Sequence, residues 1–289
     1  MIKLIDKFLS SVFPSAHIFI KKKYNFFKKK YHSQLSKNEF IAIIKNDLKI
    51  EAGDVIFVHS SMRKLYLDFS KGEILSILKG IVGKEGTILF PCWQFNIRAE
   101  DYIINNEIVF SLKDSPSAMG KISESLRLNS ETFRSFHPTN SVIAIGLRAQ
   151  ELTSGHEEDI FPCGIQSPFY KMMKYHAKVI GIGVTVDNLT FVHTVEDVLK
   201  EKFPIKTRMD KIFECNCIDK DGNEKIIKTL VASKAVSNRD VTGFFNREIS
   251  QNFCVRKKIK GMDFFSLETA SIFEKVKDCA FQNKTIYLD

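Results

Sequence analysis

His193 and Glu196 lie three residues apart in the segment 181–197, GIGVTVDNLTFVHTVED. On a helix that spacing puts both side chains on one face. A carboxylate beside an imidazole fixes its tautomer and suits it to act as a general base. Asp197, four residues from His193, is a second candidate for the orienting acid. An ordinary surface ion pair would use the same spacing, so the pair gains meaning only in company with other groups.

Three further segments carry polar groups at the ends of apolar runs. RSFHPTNS at 134–141 gathers His137, Thr139, Asn140 and Ser141. These are donors for a phosphate or a developing oxyanion, although turn chemistry alone accounts for Pro138 and Asn140. Ser60 and Ser61 follow the apolar run VIFVH, at the strand end where open α/β sheets bind ligands; a helix-capping serine is the plainer reading. Ser167 in GIQSP at 164–168 is a capping serine with an available hydroxyl. The chain has no GxGxxG, P-loop, HExxH or GxSxG, and Gly181-Ile-Gly183 is too short a glycine signal to imply a nucleotide. His59, His137, His156 and His193, with Asp187 and Glu196, supply ligand types for a metal-dependent hydrolase. Their spacing matches no metal motif, so no metal is expected.

These residues need a frame. Ser36-Lys-Asn-Glu39 is a capping box that starts a helix. Strands are expected at 55–60, 87–90, 141–145, 178–184, 211–218, 224–231 and 285–288. Helices are expected at 72–82, 117–128, 167–174, 189–201, 239–250 and 265–280. Strands alternating with helices give an α/β domain.

Composition narrows the class. With 289 residues, 44% of them apolar, the chain can bury one large core, and no apolar run is long enough for a transmembrane helix. The six cysteines show no CxxC pairing, although Cys215 and Cys217 would share one face of a strand. They read as buried, reduced thiols of a cytosolic protein. Residues 1–35 hold eight lysines against one acid, Asp6, a net +7 that leaves only +2 of the chain's +9 for the rest. No nucleic-acid partner is expected. The arm, with Lys21–23 and Lys28–30 around Tyr24, Phe26 and Phe27, suits peripheral attachment to an anionic membrane surface. Packing on a neighbouring subunit in a homo-oligomer, or plain solvation, is the competing reading.

Taken in order, GDVIFVHSSMRKL at 53–65, GTILFP at 86–91, RSFHPTNSVIAIG at 134–146, GIQSPFYKM at 164–172 and KVIGIGVTVDNLTFVHTVED at 178–197 resemble the aminoglycoside 3-N-acetyltransferases, or antibiotic N-acetyltransferases. The resemblance implies a three-layer α/β/α fold with a central mixed sheet, distinct from the GNAT acetyltransferases. It implies direct acetyl transfer from acetyl-CoA to an amine. It places His193 at the catalytic histidine and Glu196 at its acid, and Ser60, Ser61, His137, Thr139, Ser141 and Ser167 in cofactor-contacting segments. It also calls for a further acid downstream to hold a polycationic drug, and EKIIKTLVASKAVSNRD at 224–240 offers no match. The expectation is therefore a basic arm over 1–35 and an acetyltransferase domain over 36–289. The enzyme would be cytoplasmic, or peripheral on the inner membrane face. It would acetylate a small amino sugar, nucleotide-linked and destined for surface polysaccharide. The alternatives are aminoglycoside 3-N-acetylation conferring resistance and, remotely, a metal-dependent hydrolase or a membrane-surface scaffold without catalysis.

Overall fold

The computed structural model describes residues 33–288, so nearly all of the basic arm, and the expectations attached to it, lie outside the described residues. The strands are β1 (Val55–Ser60), β2 (Thr87–Pro91), β3 (Phe110–Ser111), β4 (Phe133–Arg134), β5 (Val142–Gly146), β6 (Lys178–Ile182), β7 (Phe213–Ile218), β8 (Glu224–Thr229), β9 (Cys254–Ile259) and β10 (Met262–Glu268). The helices are α1 (Lys37–Ala42), α2 (Ile74–Val82), α3 (Ala99–Ile104), α4 (Lys121–Arg127), α5 (Ala149–Thr153), α6 (Pro168–Lys171), α7 (Val192–Leu199), α8 (Val241–Glu248) and α9 (Thr269–Phe281).

Seven strands form one mixed sheet in the order β4-β5-β2-β1-β6-β10-β9. β1 runs parallel to β2 and β6, while β5 and β10 run antiparallel at the flanks of this parallel core. Alternation along each strand divides the apolar residues between two cores. Val55, Phe57, Leu89, Val179 and Phe265 face one side, against α7, α8 and α9. Ile56, Val58, Ile88, Ile180 and Phe264 face the other, against α1 and α2. This is the three-layer α/β/α arrangement. A separate small sheet, β3-β7-β8, buries Phe110, Phe213, Cys215 and Cys217 in a third cluster. Cys215 and Cys217 do share a face, and burial pushes both thiols up to about 12.

The capping box forms as expected, with Ser36 and Glu39 each accepting from the other's backbone N–H at 3.2 and 2.8 Å. Leu35, just before it, is buried and donates its backbone N–H to Tyr66 O. The globular packing thus begins ahead of Ser36.

Two expectations give way. The helix anticipated over 265–280 begins only at Thr269, because 262–268 is a strand between β6 and β9. A strand buried on both faces reads as a continuous apolar run, which periodicity does not separate from a buried helix. The turn into it, Lys260-Gly261, has φ of +47 and +79, the geometry of a tight hairpin. The closing strand anticipated over 285–288 is a single antiparallel bridge, Tyr287 to Arg239. Its partner is a loop residue, so no ladder extends.

Two glycines fit the chain around β6. A Cβ on Gly181 would lie 2.1 Å from the Phe265 ring, and Gly183, at φ +70, turns the chain out of the strand. The GIG signal is thus a packing and turning device.

Candidate active site

The carboxyl ends of parallel strands β1, β2 and β6 lie along one edge of the sheet. Antiparallel β5 pairs Val142 with Pro91, so the 137–141 segment that precedes it arrives at the same edge. After β6, a short turn at Val186–Asn188 leads into α7, which carries His193, Glu196 and Asp197. Topology alone therefore brings the 137–141 turn and the α7 histidine to a common end, as open α/β sheets do.

A cleft of about 340 Å³ opens there, with His193, Glu196, Thr139 and Asn140 in its wall among apolar groups such as Trp93 and Leu189. His193 is partly exposed to it, while Glu196 is 3% exposed. His193 Nδ1 and Glu196 Oε1 are 3.0 Å apart. Tyr287 donates to the same oxygen at 2.7 Å. Burial alone would raise the Glu196 carboxyl, but His193, Arg208 and Tyr287 outweigh it and leave it below the usual carboxylate range. Glu196 is thus an anion at neutral pH. Burial and the Glu196 charge push the Tyr287 phenol upward, so it remains a neutral donor.

The other imidazole nitrogen is also engaged. Arg239 Nη1 lies 2.9 Å from His193 Nε2. A guanidinium can only donate, so in this contact Nε2 accepts and the ring proton lies on Nδ1, facing Glu196. The bridge between Arg239 and Tyr287 holds these two residues together, one contacting the base and the other its acid.

Asp197 does not orient His193. It lies on the buried side of α7, where it accepts from Arg208 at 2.6 Å through each carboxylate oxygen and from Cys163 N at 2.8 Å. Burial works to lower the Arg208 pKa, but the Asp197 carboxylate outweighs this and holds the guanidinium charged. The pair ties α7 to the chain at 208 and to the loop at 163.

The remaining anticipated residues divide. Thr139 lines the cleft. His137 is fully buried; its Nδ1 accepts from the backbone N–H groups of Thr139 and Asn140 at 3.3 and 3.2 Å, so it shapes the turn that presents them. Its ring stacks on His156 at 4.3 Å. Ser141 donates to Ser135 O and accepts from Arg134. Ser167 caps α6, accepting from Tyr170 N and donating to Gly164 O. Both serines are fully buried with their hydroxyls engaged inside the protein. Ser60 ends β1 and Ser61 follows it; both stand outside the cleft wall, with Ser61 N bonded to Ile182 O at 3.0 Å. Among the described residues no three His, Cys, Asp or Glu side chains converge as a metal site, and no helix is long and apolar enough to cross a membrane. A larger hollow of about 700 Å³ beside Arg127 and Arg134 holds no histidine–carboxylate pair.

Sequence reasoning missed Arg239 and Tyr287. Neither has a local signature, since each reaches the dyad only through a bridge between distant segments.

A sequence profile of the aminoglycoside 3-N-acetyltransferase family matches residues 57–279. The chain is 28% identical over 177 residues to aminoglycoside N(3)-acetyltransferase IX of Micromonospora chalcea, a match covering 54% of this chain and 61% of that protein. It spans 54–61% of the length of the curated relatives that head the comparison. Its fold is similar to that of aminoglycoside acetyltransferase AAC(3)-Xa, with TM-score 0.73 and 16% identity over 92% of this chain and 99% of that one. It is also similar to AAC-IIIb in its binary complex with CoASH, with TM-score 0.70 and 21% identity over 89% of this chain and all of that one.

Proposed function

Because this chain belongs to the aminoglycoside 3-N-acetyltransferase family, we propose that it transfers the acetyl group of acetyl-CoA to a primary amine of an amino sugar, with His193 as general base. The observation that carries this is the His193–Glu196 pair, 3.0 Å apart and facing a cleft at the carboxyl edge of the sheet. An amine reaches the site largely as an ammonium ion and must lose a proton to become a nucleophile. His193 Nε2 is the nitrogen turned away from Glu196, and it accepts that proton once free; Glu196 balances the imidazolium charge. The amine nitrogen then attacks the thioester carbonyl. The C–S bond breaks as the tetrahedral oxyanion collapses, and CoA leaves as the thiolate. The Asn140 and Asn188 side chains on the cleft wall are of the donor type that stabilises such an oxyanion. The binding of CoASH by AAC-IIIb supports the choice of acetyl donor.

The names of the relatives support an aminoglycoside amine as acceptor. The nucleotide-linked sugar anticipated from the sequence receives no support from them. Thiol release from acetyl-CoA, measured across aminoglycosides and simple amino sugars, tests the proposal: amine-dependent release with a mono-acetylated product supports it, and release that ignores the amine overturns it.

The basic arm is proposed as a membrane-surface tether dispensable for catalysis. Because Leu35 is buried, the comparison chain should begin at Ser33. Co-sedimentation with anionic vesicles of the full chain but not the shortened one is expected; equal behaviour of the two contradicts it.

A further inference from the structure

Arg239 occupies the one position from which it can block the base. The Nε2 lone pair of His193 is filled by its guanidinium at 2.9 Å, while Nδ1 is committed to Glu196. In this state the imidazole has no free acceptor for an ammonium proton. If the proton did transfer, an imidazolium would face a guanidinium at contact distance, a like-charge pair that disfavours the step. Arg239 must therefore leave Nε2, or be neutralised, before the base can work.

The cleft supplies no carboxylate in direct contact with Arg239. Glu196 is bound to His193 and Tyr287, and Asp197 is paired with Arg208. Asp187, the remaining carboxylate in the wall, accepts from Thr242 N and from Thr185 Oγ1, each at 3.0 Å; against the opposing effect of burial, the Arg239 charge helps to lower its carboxyl, but the two form no ion pair. Among the described residues, no carboxylate lies within ion-pair distance of Arg239, and its residue is exposed at the cleft. Its backbone is pinned by the bridge to Tyr287, so a swing of the side chain alone would release Nε2. An exposed, unpaired guanidinium fork is a match for a carboxylate or a phosphate.

We infer that the acceptor carries an anionic group, carboxylate or phosphate, on a carbon close to its amine, and that Arg239 reads that group. The inference rests on acetyl transfer at this site and sets its acceptor apart from the polycationic aminoglycosides for which the relatives are named. The amine nitrogen must come within hydrogen-bond reach of Nε2, so an anion that draws Arg239 aside has to sit only a few bonds from that nitrogen. The phosphates of CoA do not meet this requirement, because the whole pantetheine arm separates them from the thioester. An acceptor bearing only ammonium groups would instead bring further positive charge to an arginine.

The test compares kcat/KM for glucosamine 1-phosphate, muramic acid, glucosamine and an aminoglycoside with several ammonium groups. In the first two, a phosphate or a carboxylate lies near the C2 amine. Either should exceed glucosamine by about 10–100-fold, the worth of one charge-assisted hydrogen-bonded pair. Arg239→Gln should erase that preference, and Arg239→Lys should keep part of it. Equal use of glucosamine, better use of the aminoglycoside, or a preference that survives Arg239→Gln overturns the inference. If no amine releases thiol, the acetyl-transfer reading itself fails, and Arg239 is then judged by a second readout. Glucosamine 1-phosphate should shift the imidazole ¹⁵N resonances of His193 in the wild-type protein and not in Arg239→Gln. No shift in the wild type overturns the assignment of Arg239 as the anion reader.

Discussion

Tyr287 donates its phenolic hydrogen to Glu196 Oε1 at 2.7 Å, the same oxygen that pairs with His193 Nδ1. A residue ninety-one positions after the acid thus completes the support of the base. Burial disfavours the Glu196 anion, and Tyr287 is one of the groups that counter it.

Tyr287→Phe removes one of those groups. The Glu196 carboxyl should titrate at higher pH, and the acid limb of the pH–rate profile should move upward with it. Turnover at neutral pH should fall by about tenfold, the equivalent of one hydrogen bond of roughly 1.4 kcal/mol. An unchanged profile would show that the phenol plays no part in holding the acid.

The Asp197–Arg208 pair should matter to stability. Asp197→Asn leaves a buried guanidinium without its counter-charge, which costs about 3–5 kcal/mol. Replacing Asp197 by Leu and Arg208 by Met together should cost less than the single change. Urea midpoints of the three proteins check this; a double variant less stable than Asp197→Asn would contradict it.

Three histidines make the fold acid-sensitive. Burial holds His59 and His156 down to about 3, and His137 well below its ordinary value. All three are neutral in the folded protein at pH 5, while the unfolded chain protonates them below about 6.5. The unfolded state therefore binds more protons as pH falls from about 6.5 toward 3, and stability declines over that window. Each histidine contributes about 1.4 kcal/mol per pH unit. His59→Asn should reduce the slope by one proton, read from urea midpoints between pH 7.5 and 5. A flat profile over that range contradicts the buried, neutral assignment.

The sequence reading and the structure agree where the signal is local. The capping box at Ser36, the short apolar strands β1, β2, β5 and β6, and the i, i+3 pair of His193 and Glu196 all follow from neighbours in the chain. The β9–β10 hairpin was hidden, because a strand buried on both faces loses its alternation. Asp197 and Glu196 were indistinguishable as partners of His193 by spacing alone. The direction of α7 separates them: Glu196 faces the cleft side and Asp197 the Arg208 side. Ser167 caps its helix as the sequence suggests, but its hydroxyl, like that of Ser141, is not available as a donor to a ligand, because it is bonded to a nearby carbonyl. Arg239 and Tyr287 depend on a bridge across forty-eight residues, which no local pattern encodes.

The most direct test of the account is the rate of acetyl transfer in His193→Ala, measured in single turnover with acetyl-CoA saturating and its affinity determined separately. Loss of the general base should slow transfer by about 10²–10⁴-fold, with acetyl-CoA bound as tightly as in the wild type and the fold intact by circular dichroism. Transfer within a few-fold of wild type in a folded His193→Ala protein would contradict the assignment of His193 as the base.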